Sequence, residues 1–283
     1  MALNAATFAR MVKLEHSVFA LPFAFIGLFL AAGGWPGWWL AVLLTVAMVS
    51  VRTFAMAMNR LLDLDIDLNN PRTSRRPLVT GEITRTQTIF FCVLAAVLFV
   101  LACAGMNWVC LWLSPAALLW AGLYSTSKRF TWLSHFWLGS VLGLAPLGGW
   151  LAFEPRLVLP AALFFLGVTF WVAGFDILYS CQDTDFDEQW GLHSAPARFG
   201  LPSAMQLAAF SHVNASLFFG LAGWSAKLGW IYAAAWAIVS LSLAIEHTLV
   251  SPSDLSRLNT AFFTLNGIVS LILFAGVLAG IFL

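Results

Sequence analysis

Nine runs of about 20 mostly apolar residues follow one another along this sequence, and a run of that length is what a helix needs to cross a bilayer. They lie at 17–35, 38–62, 87–106, 108–126, 135–153, 158–181, 204–223, 228–246 and 259–282. Inside lipid every backbone N–H and C=O must be satisfied by the chain itself, so only helices and closed barrels span. A barrel would show alternating strands of about ten residues, and unbroken runs twice that long exclude it. Only 10% of the 283 residues are charged, against roughly 25% in a soluble protein. The expected fold is therefore all-α: one polytopic unit over residues 1–283, set in the lipid bilayer, with nine transmembrane helices.

The net charge of +1 supplies no field that would draw nucleic acid. The four cysteines have no CxxC spacing, and three lie in apolar runs, where they read as small buried hydrophobes. The start of the chain lacks the pattern of a cleaved signal. Phe8, Met11 and Leu14, with Arg10 and Lys13 beside them, suit a short interfacial helix before the first span.

Orientation follows from the basic residues. With the N-terminus inside, the inner segments hold Arg10, Lys13, Arg60, Arg72, Arg75, Arg76, Arg85, Lys128, Arg129, Arg198 and Arg257. The outer segments hold only Arg156 and Lys227. Positive charge concentrates in cytoplasmic loops, so the two long joints, 63–86 and 182–203, are expected in the cytoplasm of a cell inner-membrane protein.

Those two joints open with acidic clusters, and eight of the thirteen acids fall in them. The first runs Asn59-Arg-Leu-Leu-Asp63-Leu-Asp65-Ile-Asp67. The second runs Asp176-Ile-Leu-Tyr179-Ser-Cys-Gln-Asp183-Thr-Asp185-Phe-Asp187-Glu188. On a helix Asn59, Asp63 and Asp67 drift only about 80° and face one way, while Asp65 points roughly 160° from Asp67. Continued as a helix, the second cluster keeps Asp176, Asp183 and Asp187 within about 40° of each other, with Tyr179 about 60° aside. Four spans separate the clusters, and an even number returns the chain to the same membrane face. A single acidic loop at a membrane surface is ordinarily just solvated. Two with matching spacing and parity point to a shared site.

Carboxylates at such density need water, bases or divalent cations to neutralise them. Mg²⁺ prefers carboxylate oxygens and bridges to substrate phosphates. With Arg72, Arg75, Arg76, Lys128, Arg129 and Arg198 nearby, the clusters read as a metal–diphosphate site, and the apolar bundle below as the place for a hydrocarbon tail. Arg52 lies about 10 Å deeper on the face of Asn59. A charge there costs on the order of 2–3 kcal/mol, and it is read either as the anchor of an acceptor carboxylate or as the ion-pair partner of an aspartate in the clusters. Glu15 and His16 read as markers of the interface. His212, Asn214 and Asn266 read as interhelical hydrogen-bonding groups. His135 and His193 flank loops outside any metal-ligand pattern, and HExxH, GxSxG, Walker and Rossmann motifs are absent.

Asn59-xxx-Asp63-xxx-Asp67 and Asp176-xx-Tyr179-xxx-Asp183-xxx-Asp187 resemble the two aspartate-rich signatures of the UbiA superfamily of intramembrane prenyltransferases. Asn70-Pro-Arg72-Thr-x-x-Arg76-Pro-Leu, Tyr124-xxx-Lys128-Arg129-Phe-Thr with Leu138-Gly139, and Gly191-xx-Ser194-x-Pro196 with Arg198-Phe-Gly200 are similar to its supporting motifs, in the same order. The resemblance implies nine helices round a central cavity capped by cytoplasmic loops. It implies Mg²⁺-dependent transfer of a polyprenyl chain from its diphosphate to an acceptor. Asn59, Asp63, Asp67, Asp183 and Asp187 would hold the metal–diphosphate, Asp176 and Tyr179 would line the site, and Arg72, Lys128 and Arg129 would contact diphosphate oxygens. Arg76 and Arg198 complete the basic set. Lys13-Leu-Glu15-His16-Ser-Val-Phe-Ala-Leu-Pro looks like the quinone branch, 4-hydroxybenzoate polyprenyltransferases and their relatives on the futalosine route to menaquinone. The acceptor is then a hydroxylated aromatic acid, either 4-hydroxybenzoate or a dihydroxynaphthoate. Three further readings are a UbiA-type enzyme acting on haem, a chlorophyllide or a glycerol phosphate ether, a divalent-cation transporter, and a scaffold without catalysis.

Overall fold

The computed structural model describes residues 5–13, 17–255, 258 and 266–283. Glu15, His16, Leu14 and Arg257, singled out above, lie outside those residues. The described chain is helical, apart from one isolated bridge between Ser251 and Asp254. In order the helices are α1 (Ala5–Met11), α2 (Ser17–Ala32), α3 (Trp38–Leu62), α4 (Leu64–Asn69), α5 (Pro77–Thr80), α6 (Arg85–Met106) and α7 (Trp108–Leu123). A 3₁₀ turn at Tyr124–Arg129 leads to α8 (Ser134–Phe153) and α9 (Leu159–Ser180). A second 3₁₀ turn at Cys181–Asp183 precedes α10 (Thr184–Gln189), α11 (Ala195–Phe199), α12 (Leu201–Ser225), α13 (Gly229–Leu249) and α14 (Asn266–Phe282).

Six helices among the described residues are long and apolar enough to cross a membrane: α3, α6, α8 and α13, with α7 and α9 including the turns that extend them. Ala20–Ala32 of α2, and α14, are apolar but shorter. Helix α12 has 25 residues, yet Gln206, Ser211, His212 and Asn214 interrupt its apolar run. Helix ends follow local chemistry. Gly33, at φ 58°, and Pro36 stop α2. Thr84 and Gln87 form a reciprocal capping box that starts α6. The Asn107 side chain accepts from the Cys110 N–H at the start of α7, and its Nδ2 donates to the Leu151 and Ala152 carbonyls at 2.8 and 3.1 Å. One residue thus caps a helix and ties it to the end of α8.

Helix α9 is the centre of the bundle, packed most extensively on α12 and α8. In lipid, tight packing depends on small residues that let backbones approach. A Cβ on Gly139 of α8 would lie 2.2 Å from the Thr169 carbonyl oxygen of α9. Across the α2–α8 contact, a Cβ on Gly27 would lie 1.9 Å from the Pro146 carbonyl oxygen, and one on Gly149 would lie 1.9 Å from that of Ala24. Phe23, Phe164 and Phe219 fill the core behind these contacts.

One expectation is extended and one corrected. Helix α1, expected as a short interfacial helix, also packs into the protein. Phe8, Met11 and Val12 are buried against α3 and α6, Phe8 stacks on Phe91 at 4.4 Å, and Arg10 pairs with Glu82 at 2.6 Å. Its three-residue spacing gave it an apolar face, and the first long joint supplies the surface that covers it. The acidic clusters, moreover, do not ride on unbroken helices. The chain bends at Asp63 (φ −95°, ψ 8°) and again at Asp183 (φ −105°, ψ 8°), each followed by a six-residue helix. Both residues occupy the sparsely used bridge region of backbone space. The first bend keeps helical hydrogen bonds on either side, Asp63 N–H to the Asn59 carbonyl at 2.9 Å and Asp67 N–H to that of Asp63 at 2.8 Å. The four-residue comb therefore survives. The second passes through a tighter 3₁₀ turn, which rotates Asp183 away from the direction a continued α9 would give it.

Candidate active site

A cavity of about 990 Å³ opens between the two acidic segments and runs down among α2, α3, α7, α8 and α9. Asn59, Asp63, Asp67, Arg72, Arg76, Lys128, Asp176, Tyr179, Asp183 and Asp187 all line it, and Arg52 lines it on the α3 side. Phe23, Phe99, Phe165, Trp171 and Phe175 line it as well. The space thus joins a charged mouth to an aromatic and aliphatic interior.

The mouth is held together by ion pairs between the segments. Arg72, from the loop after α4, donates its Nε to Asp183 Oδ1 at 2.9 Å. Its Nη2 pairs with the other oxygen of the same carboxylate, and its Nη1 donates to the Tyr179 hydroxyl at 3.2 Å. Asn70 sets this arginine by accepting its backbone N–H at 2.9 Å. Burial works against the charged Arg72 guanidinium, but its hydrogen bonds and charge pairing with Asp183 outweigh that and push its pKa up. Two segments 111 residues apart are therefore clasped directly.

Within the first row each acid has its own base. Arg76 Nη1 reaches both oxygens of Asp67, at 2.7 and 2.6 Å. Lys128 Nζ stands 3.2 Å from Asp63 Oδ2, and Asn59 Nδ2 donates to that same oxygen at 2.7 Å. Asp63 Oδ1 is buried without a hydrogen bond; Arg129 stands 3.7 Å from it, with its Nη2 donating to the Leu62 carbonyl. Asp65 is exposed, turned away from the cavity as its position between the comb residues requires.

Two predicted residues sit apart from the cavity wall. Arg198 is exposed on α11, where Ala195 and Pro196 take the inward positions. Arg129 reaches Asp63 from outside the lining. Arg52 Nη1 donates to the Val12 and Lys13 carbonyls at 3.1 and 3.1 Å, in the turn that follows α1.

Two further groups belong to the site. Arg60, counted above only for its charge, is 6% exposed and donates to Asn59 Oδ1 at 2.7 Å from within the lining. His135, set aside above as a loop flank, lines the cavity beside Asp176. Its place seven residues after Lys128, in the segment leading to Leu138-Gly139, was the available signal. His212 and Asn266 do bridge helices: His247 Nε2 lies 2.9 Å from His212 Nδ1, and Trp171 Nε1 donates to Asn266 Oδ1 at 2.7 Å. Asn214 instead bonds back to the Phe210 carbonyl of its own helix.

The donor chemistry suits a hard divalent cation. The rows offer carboxylate and amide oxygens, as Mg²⁺ requires, and Asp63 Oδ1 is a buried acceptor with no donor. Among the described residues no three His, Cys, Asp or Glu side chains already converge on one point. Arg72, Arg76 and Lys128 instead pair with Asp183, Asp67 and Asp63.

The sequence profile of the UbiA prenyltransferase family matches residues 20–268. The 4-hydroxybenzoate octaprenyltransferase of Cupriavidus metallidurans is 27% identical over 91% of this chain and 88% of its own length. The apo structure of a UbiA homolog from Aeropyrum pernix K1 superposes with a TM-score of 0.85 at 34% identity, covering 93% of this chain and 97% of that one. A UbiA homolog from Archaeoglobus fulgidus bound to GPP and Mg²⁺ shares the fold, with a TM-score of 0.74 at 21% identity over 98% of this chain and 100% of that one.

Proposed function

The chain belongs to the UbiA prenyltransferase family, and from that premise we propose that it transfers a polyprenyl chain from its diphosphate to a ring carbon of a hydroxylated aromatic acid in quinone synthesis. The acceptor is 4-hydroxybenzoate or a related dihydroxynaphthoate. The observation that carries this reading is the Arg72–Asp183 clasp, which closes both acidic segments over the mouth of one apolar cavity.

In this reading the diphosphate sits at the mouth and the prenyl chain lies in the cavity below. Asn59, Asp63, Asp67, Asp183 and Asp187 would hold Mg²⁺, which when bound would supply positive charge to the departing diphosphate. Arg72, Arg76, Lys128 and Arg129 bind its outer oxygens as they leave the carboxylates they now neutralise. The allylic C–O bond breaks, and the rings of Phe23, Trp171 and Phe175 face the resulting cation, whose charge their quadrupoles favour. Arg52, deeper on the wall, receives the acceptor's carboxylate and presents the ring carbon ortho to its hydroxyl. That carbon forms the new C–C bond, and the ring proton then passes to water or the released diphosphate. Asp176 and Tyr179 line the space where this occurs. The surplus of basic residues on the side of the two acidic joints supports a cytoplasmic mouth in a cell inner membrane.

The test is turnover by purified protein with Mg²⁺, a polyprenyl diphosphate and a panel of acceptors, read by mass spectrometry. C-prenylated hydroxybenzoate or dihydroxynaphthoate is expected. Product only from haem, a chlorophyllide or a glycerol phosphate ether would replace the proposed acceptor, and release of diphosphate with no prenylated product would overturn the transfer itself.

A further inference from the structure

The contacts of His135 are unlike those of a histidine that merely fills space. It lies in the first turn of α8 and is 3% exposed. Its Nδ1 stands 2.7 Å from Asp176 Oδ2 on α9. Its Nε2 accepts the backbone N–H of Ala195, the first residue of α11, at 3.1 Å. A nitrogen that accepts an N–H carries no proton of its own, so the ring's proton sits on Nδ1 and is donated to the Asp176 carboxylate. Asp176 lines the cavity, and among the described residues no other hydrogen bond holds it. One turn of loop thus sets a tautomer, the tautomer sets a donor, and the donor aims a carboxylate at the reaction space.

The loop that supplies the N–H is the second long joint, which also carries Asp183 and Asp187. A neighbouring bond, His193 N–H to the Lys128 carbonyl at 2.7 Å, seats the same turn. We infer that His135 is a positioning residue for prenyl transfer: it fixes the orientation of Asp176 at the cavity wall and makes that orientation depend on the seating of the Ser194–Ala195 turn. The inference rests on the prenyltransferase reading above and adds a residue to it. His135 itself need not touch either substrate.

A buried histidine that only stabilises the fold would show its loss in melting temperature and leave turnover of the folded protein alone. A positioning residue moves kcat. Five full-length variants separate the two: His135→Leu, His135→Gln, Ala195→Pro, Asp176→Asn, and His135→Leu combined with Asp176→Asn. Each is assayed with Mg²⁺, polyprenyl diphosphate and the acceptor that the wild type prenylates, beside a melting curve. Losing a hydrogen bond to a charged group predicts a fall in kcat of about 10–100-fold for His135→Leu, with KM for the prenyl diphosphate within about threefold of wild type. Glutamine carries an NH₂ group to donate and a carbonyl oxygen to accept, so His135→Gln should recover most of that loss. Ala195→Pro, at a first-turn position where proline suits a helix, replaces the N–H by a ring carbon that meets His135 Nε2, so it unseats the turn from the imidazole and should lower kcat with His135 and Asp176 both present. The double variant should be no slower than Asp176→Asn alone, since both changes remove one interaction. A folded His135→Leu with unchanged kcat, losses that multiply in the double variant, or an Ala195→Pro protein of wild-type kcat would each overturn the inference. Should His135→Leu fail to fold, Ala195→Pro decides it. A wild type that prenylates no acceptor would instead refute the proposed function.

Discussion

Arg76 neutralises Asp67 where the proposed function puts an ion, and removing it should expose that competition. The pair is short and two-pronged, with Nη1 at 2.7 and 2.6 Å from the two oxygens. Asp67's side chain is 5% accessible and that of Arg76 is 25%. Breaking a buried pair by removing one partner costs about 3–5 kcal/mol, because a buried charge is left uncompensated. Arg76 reaches water at one edge, which places Arg76→Met near the lower end, about 3 kcal/mol. At about 2–4 °C per kcal/mol for a chain of a few hundred residues, the melting temperature without metal should fall by roughly 6–12 °C. The protein carries its own reporter: Cys92, Cys103, Cys110 and Cys181 are all buried free thiols. A thiol-reactive fluorophore will therefore label them only as the bundle opens. Magnesium should then raise the variant's melting temperature more than that of the wild type, since the ion meets a bare carboxylate rather than one held by a guanidinium. Arg76→Met combined with Asp67→Asn should regain part of the loss, because the orphaned charge is gone. A fall of less than about 2 °C, or an equal response to magnesium in variant and wild type, would refute the reasoning.

Arg52→Ala should raise the acceptor's KM by about 10–150-fold, the worth of a charge-assisted hydrogen bond, and leave the prenyl diphosphate's KM nearly unchanged; equal losses for both substrates would count against its role. Asp63→Ala and Asp183→Ala should each lower kcat by about 10²-fold or more, measured as product per enzyme by mass spectrometry with folding checked by the thiol probe. Chelating divalent cations should abolish turnover, and added Mg²⁺ should restore it. Gly149→Val should destabilise the bundle by at least about 1–3 kcal/mol, since its side chain would meet the Ala24 carbonyl; Gly148→Ala, whose Cβ has open space, is the neutral control in the same melting assay.

The helical bundle was legible because lipid leaves the chain so few choices: a long apolar run can only be a helix. The acidic rows were legible from spacing alone, because the Asp63 bend keeps its four-residue hydrogen bonds. The bend at Asp183 was not, because a 3₁₀ turn leaves no trace in the apolar pattern. Arg198 looked like a site base by position, but α11 turns Ala195 and Pro196 inward and leaves the arginine outside. The role of His135 was hidden for another reason. Its two partners lie 41 and 60 residues away, and nothing local distinguishes it from any histidine at a helix start. Arg60 was read as a charge marking membrane orientation, and only the folded chain places it inside the first row.

The bond from His193 to the Lys128 carbonyl carries a consequence for how products depart. Lys128 reaches Asp63 with its side chain and holds the second loop with its main chain. Swinging that loop outward must either rupture this link or drag the lysine from its partner acid. Release from one wall is thereby geared to loss of counter-charge on the other. For the proposed diphosphate to leave through this mouth, both rims would have to part together.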